Sequence, residues 1–119
     1  MRIHIEHNTL FTYPDISVIC GDMITLNNDD FNVLNPTLLV EISSPSTRAY
    51  DRGQKFTLYR DIPTLKEYTI ADPDTKSIEN WHINALGNWE LEKYTDVNTS
   101  LHLHSLNIDI PLPDIFEGL

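Results

Sequence analysis

With 119 residues, 40% hydrophobic and 22% charged, the chain has the size and mix of a single globular domain over residues 1–119, able to bury a core without disulfides. The one cysteine, Cys20, excludes an internal disulfide and fits a reducing compartment such as the cytoplasm. A net charge of −10 argues against broad electrostatic binding to nucleic acid, and neither a signal-peptide core nor a membrane-length apolar run is present.

Arg2 to Glu6 alternates apolar and polar residues and predicts a short first strand. Tyr13-Pro14 interrupts the chain, since proline cannot donate to a ladder. Asp15 to Cys20 predicts a second strand, with Ile16, Val18, Ile19 and Cys20 suited to burial. Gly21 to Pro36, rich in Asn and Asp, reads mainly as surface loop. Thr37 to Ser43 is almost continuously apolar, as in a strand buried on both faces.

Asp51-Arg52-Gly53-Gln54 fits a capping-box variant with Asp51 as N-cap, opening a helix to Arg60 that Pro63 stops. Leu65 to Ala71 predicts the next strand, and Asp72-Pro73-Asp74-Thr75 a turn. Three antiparallel strands follow: Ile78 to Ile83, Trp89 to Tyr94 and Leu101 to Leu106. Gly87-Asn88 lies in the loop between the first two. The sum is a strand-rich α/β (α+β) domain with one main helix between two strands.

Two acidic residues stand out. Glu41 lies in the most apolar segment, where a carboxylate is rarely buried without a partner or a metal. Asp15 opens the preceding strand, so the two carboxylates converge if those strands are neighbours. They would then repel unless a cation sits between them or one takes a proton. The alternative is that Glu41 reaches water at an edge and Asp15 caps a turn. On the predicted helix, Lys55 shares an arc of about 160° with Leu58, Tyr59 and Phe56, so it either snorkels or points inward. Arg48 to Lys66 holds five basic residues against two acidic ones, a net +3 that leaves −13 on the remainder. Such a strip can face a phosphate, or be a solvated helix with salt bridges.

His102 and His104 alternate on one strand, but no third ligand stands near them in sequence, which favours a polar sheet face over a zinc site. His4 and His7 fall on opposite strand faces. Trp81 and Trp89 flank the Gly87 loop, placed for a diagonal structural contact.

The runs Tyr13-Pro14-Asp15-Ile16-Ser17-Val18 and Asn35-Pro36-Thr37-Leu38-Leu39-Val40-Glu41-Ile42-Ser43-Ser44-Pro45-Ser46-Thr47 resemble the Uma-two family. So do Tyr50-Asp51-Arg52-Gly53-Gln54-Lys55-Phe56 with Tyr59, then Glu67-Tyr68 and Asp72-Pro73. These are bacterial proteins of the PD-(D/E)XK, restriction-endonuclease-like superfamily. The resemblance implies a restriction-endonuclease-like mixed sheet with one main helix and C-terminal antiparallel strands. It implies Asp15 and Glu41 as metal ligands for Mg²⁺ or Mn²⁺, Lys55 as the catalytic lysine and hydrolysis of DNA phosphodiester bonds. Arg48 and Arg52 would then contact the DNA backbone. The superfamily often places its lysine two residues after the second acid. That position is Ser43 here, and Lys55 on the next helix matches instead. Longer relatives carry a helix and hairpin before the Pro-Asp strand, so this chain is expected to be N-terminally shortened. Two functions stay open on that basis: a metal-dependent endonuclease, or a non-catalytic homodimer or partner-binding module on the same fold.

Overall fold

The computed structural model describes residues 2–6, 10–12, 14–26 and 29–117. It is a mixed α+β structure with eleven strands and three short helices among the described residues. Its largest sheet is built from β3 (Ile16–Val18), β6 (Leu38–Ile42), β7 (Glu67–Asp72), β8 (Ser77–Ile83) and β9 (Trp89–Tyr94), adjacent in that order. Only the β6–β7 pair is parallel. A parallel pair needs a crossover, and the helical segment between these strands provides it.

That segment is not one helix. α1 (Arg48–Arg52) and α2 (Gln54–Tyr59) meet at Gly53, whose N–H closes α1 on the Ala49 carbonyl at 3.1 Å. A Cβ at Gly53 would lie 3.3 Å from the same oxygen. The capping box expected at Asp51 does not form. Thr47 is the N-cap of α1, and Asp51 sits buried inside the helix with its carboxylate turned to Ser43. Asp51 satisfies a tertiary partner rather than a helix end, which its sequence spacing to Gln54 could not reveal.

Gly21 to Pro36 also departs from the loop expectation. It contains β4 (Thr25–Leu26) and β5 (Asp29–Val33), which join β1 (Arg2–Ile5) and β2 (Leu10–Thr12) in a second sheet, ordered β2-β1-β5-β4. The β1–β5 pairing is parallel, so partners distant in sequence stabilise a polar segment that local propensity disfavours. Asn35 anchors this excursion: its side chain accepts from the Ile24 N–H at 2.7 Å and donates to the Asp22 carbonyl at 2.8 Å. Ile16 and Cys20, expected to be buried, are exposed, because β3 is an edge strand of only three residues. Leu101 to Leu106 shortens to β10 (Ser100–Leu103), which pairs with β11 (Ile108–Pro111) and leads into α3 (Leu112–Phe116).

The two faces of the large sheet carry separate cores. On one, Leu39, Tyr68 and Ile70 pack with Phe56 and Tyr59 of α2 and with Ile3, Ile5 and Val33 of the second sheet. On the other, Leu38, Ala71 and Ile78 pack with Leu101, Leu103 and Leu112 of the C-terminal segment. The period-2 alternation of β6 therefore sends Leu39 and Glu41 to the helical side, and Leu38, Val40 and Ile42 to the other. Trp81 and Trp89 meet through Phe56, which stacks on Trp81 at 4.6 Å and meets Trp89 edge-on at 5.4 Å. His7 lies outside the described residues.

Candidate active site

Ile16 faces Val40 and Ser17 faces Leu39, so extending the antiparallel register by one step sets Asp15 opposite Glu41. Directly opposed residues share a face, which here is the helical one. Asp15 is fixed by the Ile42 backbone N–H, which donates to its Oδ2 at 2.7 Å. Glu41 is 4% exposed. Its Oε1 accepts from the Tyr59 hydroxyl at 2.7 Å and lies 2.9 Å from the Lys55 ammonium. Lys55 also lies 3.6 Å from Asp51 Oδ1, one helical turn away.

Burial pushes the Glu41 carboxyl above its ordinary value. Hydrogen bonds from Lys55 and Tyr59 and the lysine's charge offset part of this, while the nearby Asp15 charge adds to it. Burial acts on Lys55 in the opposite sense. The hydrogen bond to Glu41 and the charges of Glu41 and Asp51 outweigh it and hold the ammonium above the usual lysine value. Lys55 is therefore a fixed positive charge, not a poised base.

The structure thus brings together Asp15, Glu41 and Lys55, and settles the snorkelling question: Lys55 points inward. It also explains the departure at Ser43. Ser43 Oγ donates to Asp51 Oδ2 at 3.1 Å, so the residue two after Glu41 ties down α1, just ahead of the Lys55 of α2. Three supporting residues were missed in the sequence. Tyr59 reads as an apolar-face aromatic within the family motif, Tyr68 as a strand residue within it, and Asp51 as a cap, so the sequence gives none of the three a place in the site. Tyr68 donates to the Asp51 carbonyl at 3.1 Å and stands edge-on to Tyr59 at 5.2 Å, which fixes the ring that holds Glu41.

The basic strip is largely neutralised. Arg48 pairs with Asp72 at 2.5 Å and Asp74 at 3.4 Å, and Arg52 lies 3.0 Å from Glu79. The Arg48 pairing ties α1 to the end of β7, and with the turn N–Hs of Thr75 and Asp74 it holds the Asp72 carboxyl below its ordinary value against the effect of burial.

A mixed sheet crossed by one helical segment carries these three residues: Asp15 just before β3, Glu41 on β6 and Lys55 on α2. Residues 1–113 match the Uma2 family, described as "Putative restriction endonuclease", and the chain belongs to that family. Two uncharacterised proteins of Synechocystis are similar to it, one 35% identical over the whole chain and one 31% identical over 91% of it. The chain spans 61% of the length of each. Among solved structures, a protein of Anabaena variabilis described as a putative nuclease of the DUF820 group matches with a TM-score of 0.72 and 17% identity. The match covers 98% of this chain and 64% of that one, and it shows a shared fold.

Proposed function

We propose that the Asp15–Glu41–Lys55 cluster is the site of a metal-dependent endonuclease that hydrolyses DNA phosphodiester bonds. The observation that carries this reading is the buried Glu41, held by Tyr59 and Lys55 with Asp15 opposite it in register. The hydrogen-bond donors to Glu41 meet Oε1 and the donor to Asp15 meets Oδ2; among the described residues no donor engages Glu41 Oε2 or Asp15 Oδ1. Two hard carboxylate oxygens on adjacent strands suit Mg²⁺ or Mn²⁺. When bound, such an ion supplies Lewis acidity at the phosphoryl oxygen and lowers the pKa of its water.

The chain's own groups have separate tasks. Asp15 and Glu41 hold the ion's position, the first pinned by a backbone N–H and the second by the Tyr59 hydroxyl. Lys55, fixed as an ammonium, offsets charge on the phosphate or orients the attacking water through an N–H. Arg48 and Arg52 contact the DNA backbone in this reading, each exchanging an acidic partner for a phosphate. A reducing cytoplasm suits both the substrate and the exposed Cys20.

Incubation of supercoiled DNA with Mg²⁺ or Mn²⁺ tests the reading. Cleavage is expected to fall by about 10²-fold or more in Asp15→Ala, Glu41→Gln and Lys55→Ala. Equal cleavage by all four proteins would refute it.

One observation favours a second reading, a non-catalytic homodimer or partner-binding module. The face opposite the acids has an open apolar groove lined by Ile16, Val18, Val40, Ile42, Ile110 and Ile115, and Ile16 is 52% exposed. Absence of metal-dependent cleavage, together with a dimer in light scattering that Ile16→Glu dissociates, would decide for it.

A further inference from the structure

We infer that His82, Glu92 and His104 form a zinc-type metal site on the opposite face of the large sheet from Asp15 and Glu41. The three residues come from β8, β9 and the turn after β10, and one ligand atom from each lies within 4.8 Å of the others. His104 Nε2 is 2.9 Å from Glu92 Oε1, and His82 Nε2 is 3.6 Å from the same oxygen. These spacings straddle the roughly 3.3 Å separation between ligands at ~2.0–2.1 Å from a tetrahedral zinc.

The hydrogen-bond network around His82 fixes its tautomer. The Asn80 amide nitrogen donates to Glu67 Oε2 at 2.8 Å and to Thr69 Oγ1 at 2.9 Å. Asn80 Oδ1 is therefore the atom facing His82 Nδ1, at 3.1 Å, and Nδ1 must carry the proton that bridges them. In the neutral ring this leaves a lone pair on Nε2. That lone pair points at carboxylates, with Glu90 Oε2 at 3.1 Å and Glu92 Oε1 at 3.6 Å. His82 is 4% exposed, so water cannot mediate freely between acceptor and acceptors. A cation at Nε2 resolves the conflict: either a second proton or a metal ion.

The surroundings favour the metal. His82 and His104 stack at 3.6 Å between ring centroids, which sets both imidazoles beside the Glu92 carboxylate. A divalent ion leaves both imidazoles neutral and is balanced by Glu92. An imidazole oriented through its other nitrogen by a fixed amide is the usual support for a metal-ligating histidine. Asn80 is in turn held by Glu67, which also accepts from the Ser105 and His104 backbone N–Hs at 2.9 and 3.0 Å, beside the third ligand. Two imidazoles and a carboxylate suit Zn²⁺ and related borderline ions rather than Mg²⁺. The fourth position falls to the exposed Glu90 or to water. His102, the other half of the His-x-His pair, is turned away to Asp109 at 2.9 Å. Because the ligands join the β8–β9 hairpin to the end of β10, the ion staples the C-terminal segment to the sheet.

Zn²⁺ and Co²⁺ added to the metal-free protein test this assignment. With Mg²⁺ in large excess to occupy Asp15 and Glu41, one equivalent of Zn²⁺ should bind by calorimetry, and Co²⁺ should give the visible absorption of a tetrahedral nitrogen–oxygen site. Affinity should fall at least tenfold in His104→Ala and in Glu92→Gln, two variants at partly exposed side chains, and stay unchanged in Asp15→Ala and Glu41→Gln. No stoichiometric binding, affinity unchanged in the first pair, or loss of binding in the second pair would each overturn it. Because the readout is metal affinity and not DNA cleavage, its failure is separate from failure of the nuclease reading.

Discussion

Removing the Lys55 ammonium should make the protein's stability depend more steeply on pH through Glu41. At 2.9 Å and an effective dielectric constant near 20, the attraction between the two charges is about 6 kcal/mol. Not all of it is lost in Lys55→Met. Burial of the lysine charge is relieved, and the Tyr59 hydrogen bond remains. Glu41 can also escape by taking a proton. From its ordinary value of 4.5 this costs about 3.4 kcal/mol at pH 7, which bounds the electrostatic loss. A destabilisation of about 2–3 kcal/mol at pH 7 is therefore expected. Its sign with pH follows from the folded pKa of Glu41, already raised and raised further in the variant. The folded state then binds more protons than the unfolded one between the two pKa values. Stability should be highest below the unfolded value and fall as pH rises towards the folded value, by at most about 1.4 kcal/mol per pH unit. Urea unfolding of the wild type, Lys55→Met, Glu41→Gln and the double variant at pH 5, 6, 7 and 8 measures this. The double variant should recover most of the loss, since a glutamine carbonyl still accepts from Tyr59. A loss that does not grow with pH, or a double variant no more stable than Lys55→Met, would refute the buried-pair account.

Phe56→Ala removes the ring that α2 inserts against Trp81 and Trp89, and should cost about 3–5 kcal/mol in urea unfolding, with tryptophan fluorescence shifted in the folded state. Glu67→Ala deletes a fully buried acceptor and strands the Asn80 and Ser105 donors, so a loss of about 1–3 kcal/mol and faster amide exchange at Ser105 are expected. In the metal-free protein the Glu92 carboxyl is lowered, because the hydrogen bond from the Tyr94 hydroxyl and attraction to the neighbouring His104 and His82 outweigh its burial. Its contribution is present above the ordinary carboxylate pKa and is lost as pH falls through the lowered value; Glu92→Gln should flatten the acid limb of the stability profile. Tyr59→Phe removes the hydroxyl that positions Glu41 without touching the acid or the lysine. Cleavage should fall with the fold intact by circular dichroism, and unchanged cleavage would remove Tyr59 from the site.

The most local signals survived folding best. The apolar run Leu38–Ile42 forms an inner strand, and Lys55, whose place among Phe56, Leu58 and Tyr59 allows either snorkelling or an inward turn, is turned inward by Glu41. A strand's period of 2 and a helix's period of 3.6 are local geometry, so a sequence displays them directly. The Asp15–Glu41 convergence also needed β3 and β6 to pair in one register. The sequence and its family resemblance supplied the candidates, and the antiparallel ladder placed them opposite each other. Local pattern failed where a partner distant in sequence made the decision. Asp51 looks like a helix cap until Ser43 and Lys55 are beside it, and Asp29–Val33 looks like loop until β1 pairs with it. His104 illustrates the same limit. Its sequence neighbour His102 is turned aside, while its companions His82 and Glu92 stand on other strands. Which polar groups share a buried space is set by sheet order and strand register, and those depend on the free energy of the whole packing rather than on any one segment.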